Sequence, residues 1–346
     1  MQVSPNNAPK TIAPLLNEAT YMLYISQGKI QSNTLPEGIT ITESTPKDAL
    51  HANFVSDDPL VSHNQSNHDT AITLEVKEGI TLDAPIMIMI DGSNYDYTVN
   101  ITYDIHPRAC IDIHEYLYST SDHTLNYLSQ THVGEQAQVK LIGIANLDLM
   151  STSSVQRLVR SQASSHTEVR TAQLGNGRTK QDVDMDLLGE HAYGEVRTVA
   201  VASGNQEVLI NTHLEHKAKH TEGYIEHYGV AADESYLGFE GTGKIHKGMS
   251  QSNAHQSNNG VVLGEYARLD ANPLLLIDEY DVEASHGAAI GRIDEEQLYY
   301  LMSRGLSEND AQRLIINGFL APLKSMMEND VMRDHIQSLL ANKTGR

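Results

Sequence analysis

The sequence contains one cysteine, Cys110, in 346 residues, and this excludes an internal disulfide. It also excludes a structural zinc site or an iron–sulfur cluster held by this chain alone, because both normally need several thiolates. A single thiol fits a reducing compartment, and a cytoplasmic protein is expected. Basic residues are few: 24 Lys and Arg against 45 Asp and Glu give a net charge of −21. Such a surface argues against nucleic acid or an anionic membrane as a general partner. No run of about 18 apolar residues occurs, so no membrane-spanning helix is expected. The opening MQVSPNNAPKTIAPLL lacks the charged region and unbroken apolar stretch of a secretory signal. No G-x-S-x-G elbow exists.

What is present divides into three regions. Residues 1–68 are loosely patterned, with one apolar stretch, YMLYISQGKI, and a polar run, SHNQSNHD, expected to loop over the surface. Residues 69–290 read as short strands. In KQDVDMDLLGE, Val183, Met185 and Leu187 alternate with Asp182, Asp184 and Asp186, and EVLINTHLEH repeats the pattern with Val208, Ile210 and Leu214. Alternation with irregular turns predicts an all-β sandwich, barrel or solenoid, among which periodicity does not choose. Residues 291–346 change to helical spacing. Asp294 and Gln297 form a capping box ahead of Leu298, Leu301 and Met302, and Gly305 stops the helix. Ser307 starts a second helix with Ala311, Leu314 and Ile315 on one face, and Met332, Ile336, Leu339 and Leu340 mark a third.

GFEGTGKIHKG places Gly238, Gly243 and Lys244 at phosphate-loop spacing. Ile245 stands where that loop needs a Mg²⁺-binding hydroxyl, and no helix pattern follows, so no nucleotide site is predicted. His213, His216, His220 and His227 cannot converge on one ion from a strand: the first two point to opposite sides, and His216 and His220 are about 13 Å apart. They read as a solvated polar face. Cys110 reads as a small buried apolar residue.

VEASHGAAIGRIDEEQLYYLMSRGLSENDAQRLIINGFLAPL, residues 282–323, resembles the C-terminal signature of the SufB/SufD family of SUF-system iron–sulfur cluster assembly scaffolds, with Ser-His-Gly-Ala at 285–288 and the MSRG turn on the SufD side. GTGKIHKGMSQSNAHQSNNGVVLGEYARLDANPLLLIDEYDV is similar to the family's preceding block, and LPEGITI and KEGITLDAPIMI look like its early strands. The resemblance implies a mainly β fold: a right-handed parallel β-helix, or solenoid, with a C-terminal helical subdomain. It implies a non-catalytic scaffold that pairs with a SufB-type subunit and docks a SufC-type ATPase. No cofactor is expected in the isolated chain, a cluster is expected only in the assembled complex, and a homodimer stays open for the chain alone. Family members usually have a larger N-terminal helical segment than residues 1–68 supply. Many also have a Cys where this chain has Ala284, which removes one thiolate.

His286 is the candidate metal ligand, since a neutral imidazole suits iron or zinc. The partner-binding candidates are Leu298, Leu301, Met302, Leu314 and Ile315 on the tail helices. Phe319 and Leu320 join them, because large side chains just past Gly318 can enter a partner's pocket. The rival reading is a β-helix enzyme acting on polysaccharide. It needs a carboxylate constellation that no spacing nominates, and it leaves the tail unexplained.

Overall fold

Val183, Met185 and Leu187 are fully buried in the strand Arg178–Leu187. Its lysine and aspartates face outward, as alternation requires. This strand pairs in parallel with Thr152–Ser161 before it and Glu207–His216 after it, each in continuous register. The same arrangement repeats along the chain in a computed structural model, which describes residues 15, 19–33, 35–43, 58–120, 123–148, 151–325 and 330–343. Successive strands alternate between a ten-stranded and a nine-stranded sheet. The result is the parallel β-solenoid, of about eight turns, that the resemblance implies. One coil is about as long as the 28 residues separating Asp104 from its partner His132. Each coil contributes a strand to both sheets, so the repeat is masked in a strand-by-strand reading.

Each coil turns one corner through a residue with positive φ. Arg108, Gln136, Ser164, His191, His220 and Gln251 all have φ between 54° and 62°. A non-glycine residue there is strained by about 1–2 kcal/mol. The corner is held by the next coil: Arg108 N–H donates to Glu135 O and Gln136 N–H to Ala163 O, both at 2.9 Å.

The solenoid begins before residue 69. Tyr21–Ser26 pairs in parallel with Ile86–Asp91, and Ile39–Glu43 pairs antiparallel with Thr70–Val76. The run SHNQSNHD is not a loop. It lies mostly in helix α1 (Pro59–Ser66), capped by Asp58, whose carboxylate accepts from Leu60 N–H at 2.7 Å. Buried Asn64 donates to the carbonyls of Val99 and Asn126 at 3.2 and 3.3 Å. Val61 packs on Leu128 and Leu158. The polar sequence concealed a helix whose contacts to the sheet are largely hydrogen bonds.

After the last strand come α2 (Glu295–Ser303), α3 (Glu308–Phe319), α4 (Ala321–Ser325) and α5 (Asp330–Lys343). Asp294 caps α2 by accepting from Glu296 and Gln297 N–H, and Ser307 caps α3. Ile316, Leu320, Leu323, Met332, Ile336 and Leu340 form one buried cluster with Tyr116, Ile142, Val199 and Val230 of the ten-stranded sheet. Phe319 is half-buried, with its ring 6.0 Å from that of Tyr228. The expectation that Phe319 and Leu320 serve as exposed anchors is therefore corrected. Their carbons fasten the tail to the solenoid, because α3 turns its apolar edge onto the sheet's outer face. Leu320→Ala is expected to lower stability by about 2–5 kcal/mol, seen as an earlier urea midpoint. An unchanged midpoint would show that this side chain contributes little to the tail's packing.

Candidate functional site at the open end of the solenoid

In most of the solenoid each strand is covered by the next coil. The final two, Arg268–Ile277 and Glu283–Arg292, terminate their sheets. Each therefore presents one edge of unpaired backbone N–H and C=O groups. Every residue of Glu283–Arg292 is exposed. A Cβ added at Gly287 or Gly291 would meet no atom within 4 Å. Large apolar side chains stand at this end in water, among them Leu274 at 49 %, Leu276 at 42 % and Ile290 at 39 % exposure. Tyr280, between the two strands, is fully exposed. Exposed apolar side chains grouped on an unpaired edge are unusual for a finished surface. The run Pro273-Leu274-Leu275-Leu276-Ile277 signals this in the sequence. Alternation should have put polar residues at 274 and 276, and an unbroken apolar run marks a strand covered on both faces.

His286 lies in this last strand, in register with Gln256 one coil back. Gln256 is buried, and its Nε2 donates to Leu274 O at 2.9 Å. His286 thus occupies the inward-facing row at the open mouth, exposed because no further coil covers it. Its neighbour Ser285 is on the other face, where its hydroxyl pairs with His255 Nδ1 at 2.8 Å. Among the described residues no group of three His, Cys, Asp or Glu is placed to hold a metal ion. His286 can offer one imidazole nitrogen, and any further ligands would have to come from another molecule.

The tail residues divide. Helix α2 buries none of its residues. Leu298 and Leu301 are half-buried, Met302 is exposed, Leu314 is exposed and Ile315 is half-buried. Tyr299 at 76 % and Tyr300 at 56 % exposure extend this apolar surface, and helical spacing had not singled them out. Arg292 leads through Ile293 and Asp294 directly into α2, so the exposed helix adjoins the open strand in the chain.

The other candidate motifs resolve as structure. Gly238, Gly243 and Lys244 all lie within the strand Tyr236–Ile245. Lys244 Nζ is 3.7 Å from a Glu215 oxygen, and no helix opens from the loop. Cys110 is half-buried rather than buried, with its sulfur 3.9 Å from Gln138 Oε1. The histidines do not form one solvated face. His213 is exposed and His220 sits at a corner stacked on His191, but His216 and His227 are fully buried inside the solenoid. Burial lowers the pKa of both to about 4. Register explains this: both fall on inward positions, which their polarity disguised. No helix of the described residues is long and apolar enough to cross a membrane.

Residues 98–319 match the family model of the SUF system FeS cluster assembly SufBD core domain. The chain is 35 % identical over 259 residues to the iron–sulfur cluster assembly protein SufD of Bacillus subtilis, covering 75 % of this chain and 56 % of that protein. It is 28 % identical over 170 residues to SufD of Escherichia coli, covering 49 % and 40 %. It is also 28 % identical over 263 residues to a SufBD family iron–sulfur cluster assembly protein of Pyrococcus horikoshii, covering 73 % and 57 %. The chain spans about half the length of these relatives. A core-domain match over most of the solenoid, with the nearer curated kin named SufD, gives the conclusion: the chain belongs to the SufB/SufD family of iron–sulfur cluster assembly proteins and sides with SufD.

Proposed function

We propose that this protein is a non-catalytic, SufD-like scaffold subunit of iron–sulfur cluster assembly. Its open solenoid end pairs with a SufB-type subunit. The observation that carries this is the final strand pair: an unpaired edge, exposed along its whole last strand, beside Leu274, Leu276 and Ile290. A second solenoid end would cover these side chains and continue the sheets by β-augmentation. His286 then stands at the seam, where its nitrogen could join ligands from the partner around iron or a cluster in transit. Ala284 supplies no thiolate, so this chain's share of such a site is the imidazole. The apolar face of α2 and early α3, with Leu298, Leu301, Met302, Leu314 and Ile315, is the surface offered to a SufC-type ATPase. Hydrolysis belongs to that partner, consistent with Lys244 being held on a strand. The family context makes the cytoplasm the working compartment.

The double variant Leu274→Glu/Leu276→Glu tests the pairing. Each leucine contributes about 1.5–3 kcal/mol if buried on association. Together they should weaken binding to a SufB-type subunit more than 100-fold. Both side chains already face water in the single chain, so the melting temperature should hardly change. Full affinity in this variant would place the interface elsewhere.

A further inference from the structure

The outer face of the nine-stranded sheet holds a cavity of about 500 Å³ beside α1, far from the open end in chain order. Its floor is set by strand register: Gln156 beside Asp182, Leu158 beside Asp184, and Asp184 beside His213. Val61 of α1 and Leu158 pack together as an apolar wall. Asp58, Asp182, Asp184, Asp186 and Glu215 all line it, so the balance of charge decides what it can hold.

Four of those carboxylates are already paired. Lys180 Nζ lies 3.1 Å from Asp58 and 3.2 Å from Asp182. Arg160 and Lys217 approach Asp186 at 3.0 and 2.8 Å. Glu215 is met by Lys217 at 3.2 Å and His246 at 2.7 Å. Asp184 has no ion pair or hydrogen bond among the described residues. Burial, then the charges of Asp182 and Asp186, raise its pKa against the opposing pull of His213 and Arg160. Gln156 gives an independent observation in the same cavity. It is 2 % exposed, and its Nε2 makes no hydrogen bond, although it lies close enough to Asp58 to help lower that carboxyl's pKa. A buried amide donor without an acceptor normally marks an unfilled partner position.

A divalent ion suits this arrangement poorly. Successive outward residues on a strand are about 7 Å apart, while such ions gather several oxygens at about 2.0–2.6 Å. A sugar-cleaving pair suits it no better, since that chemistry needs two carboxyls free to act and only Asp184 is free. We propose that the cavity binds a small primary-ammonium compound, with its nitrogen on Asp184, an acceptor oxygen on the Gln156 amide and its carbons along Val61 and Leu158.

Calorimetric titration of the full chain tests this, with 4-aminobutanamide as the matched probe, butylamine as the probe without an acceptor, and MgCl₂ as the metal control. We expect saturable one-to-one binding of the amide, weakened at least ten-fold by Asp184→Asn. Gln156→Leu should reduce the amide to the affinity of butylamine. Asp184→Asn removes an unpaired occluded charge, so its melting temperature should hold or rise, which separates lost binding from lost folding. The proposal is overturned if the amide shows no saturable binding at millimolar concentration, if Asp184→Asn binds it as well as the parent, or if Mg²⁺ binds in an Asp184-dependent way.

Discussion

Glu115→Leu should destabilise the protein by about 3–5 kcal/mol, because it strands a buried guanidinium. Arg157 and Glu115 both lie inside the solenoid, with their side chains 1 % and 0 % exposed. Arg157 donates to Glu115 Oε2 through Nε at 3.1 Å and Nη2 at 2.6 Å. The other oxygen, Oε1, accepts from the hydroxyls of Tyr103 and Tyr127. Arg157 also lies over the Tyr127 ring, 5.5 Å from its centroid. The facing position must be glycine: a Cβ on Gly143 would come 2.2 Å from Arg157 Nη2. Replacing the acid alone leaves a charge that neither water nor a partner can reach. Replacing both residues with apolar ones of similar volume should recover much of the loss, since an isolated buried pair is often no better than good packing. Chemical denaturation of the single and double variants checks this. Equal stability of Glu115→Leu and the parent would mean that the pair is not buried as described.

Acid should unfold the protein through two interior histidines. His216 Nδ1 pairs with the Thr221 hydroxyl at 2.7 Å, in space left by Gly223. His227 Nε2 pairs with Thr212 Oγ1 at 3.0 Å, and its ring stacks on Phe239 with centroids 4.9 Å apart. Burial lowers both pKa values from 6.5 to about 4. The unfolded chain therefore binds protons that the folded chain refuses. Above the unfolded value the two states bind equally, and no stability depends on these groups. As pH falls from about 6.5 to about 4, each histidine removes about 3 kcal/mol, and below that the loss is complete. Together they match the total stability of many domains. Unfolding measured at several pH values should show proton uptake near pH 5 reduced by about one for His227→Gln, and by about two when His216→Gln is added. An unaltered pH slope would contradict the burial of these rings.

Legibility in the sequence followed the chemistry of each face. Where apolar and charged residues alternate, as around Val183 and Asp184, inside and outside could be read directly. The tail helices were equally clear, since Asp294 and Ser307 are capping residues ahead of helical spacing. Interior polar residues were opaque. Arg157, Glu115, His216 and His227 sit on inward positions, and a one-residue rule that puts polar groups outside assigns them wrongly. Only their cross-coil partners, distant in sequence, make them tolerable inside. Leu320 misled for a related reason: an apolar residue at a helix end does not show whether it meets its own chain or another. The open end was partly legible in PLLLI, while His286 was found through a resemblance, because a single histidine in a glycine-rich strand has no periodic signature.

The central claim is that the last coil is an interface. Hydrogen–deuterium exchange of this chain, alone and with a SufB-type subunit, tests it most directly. The account predicts slower exchange within 268–277 and 283–292 on mixing, where edge amides now open to water gain partners, with little change in the first coils. Association that leaves those two segments exchanging as in the free chain, or that protects the N-terminal strands instead, would contradict it.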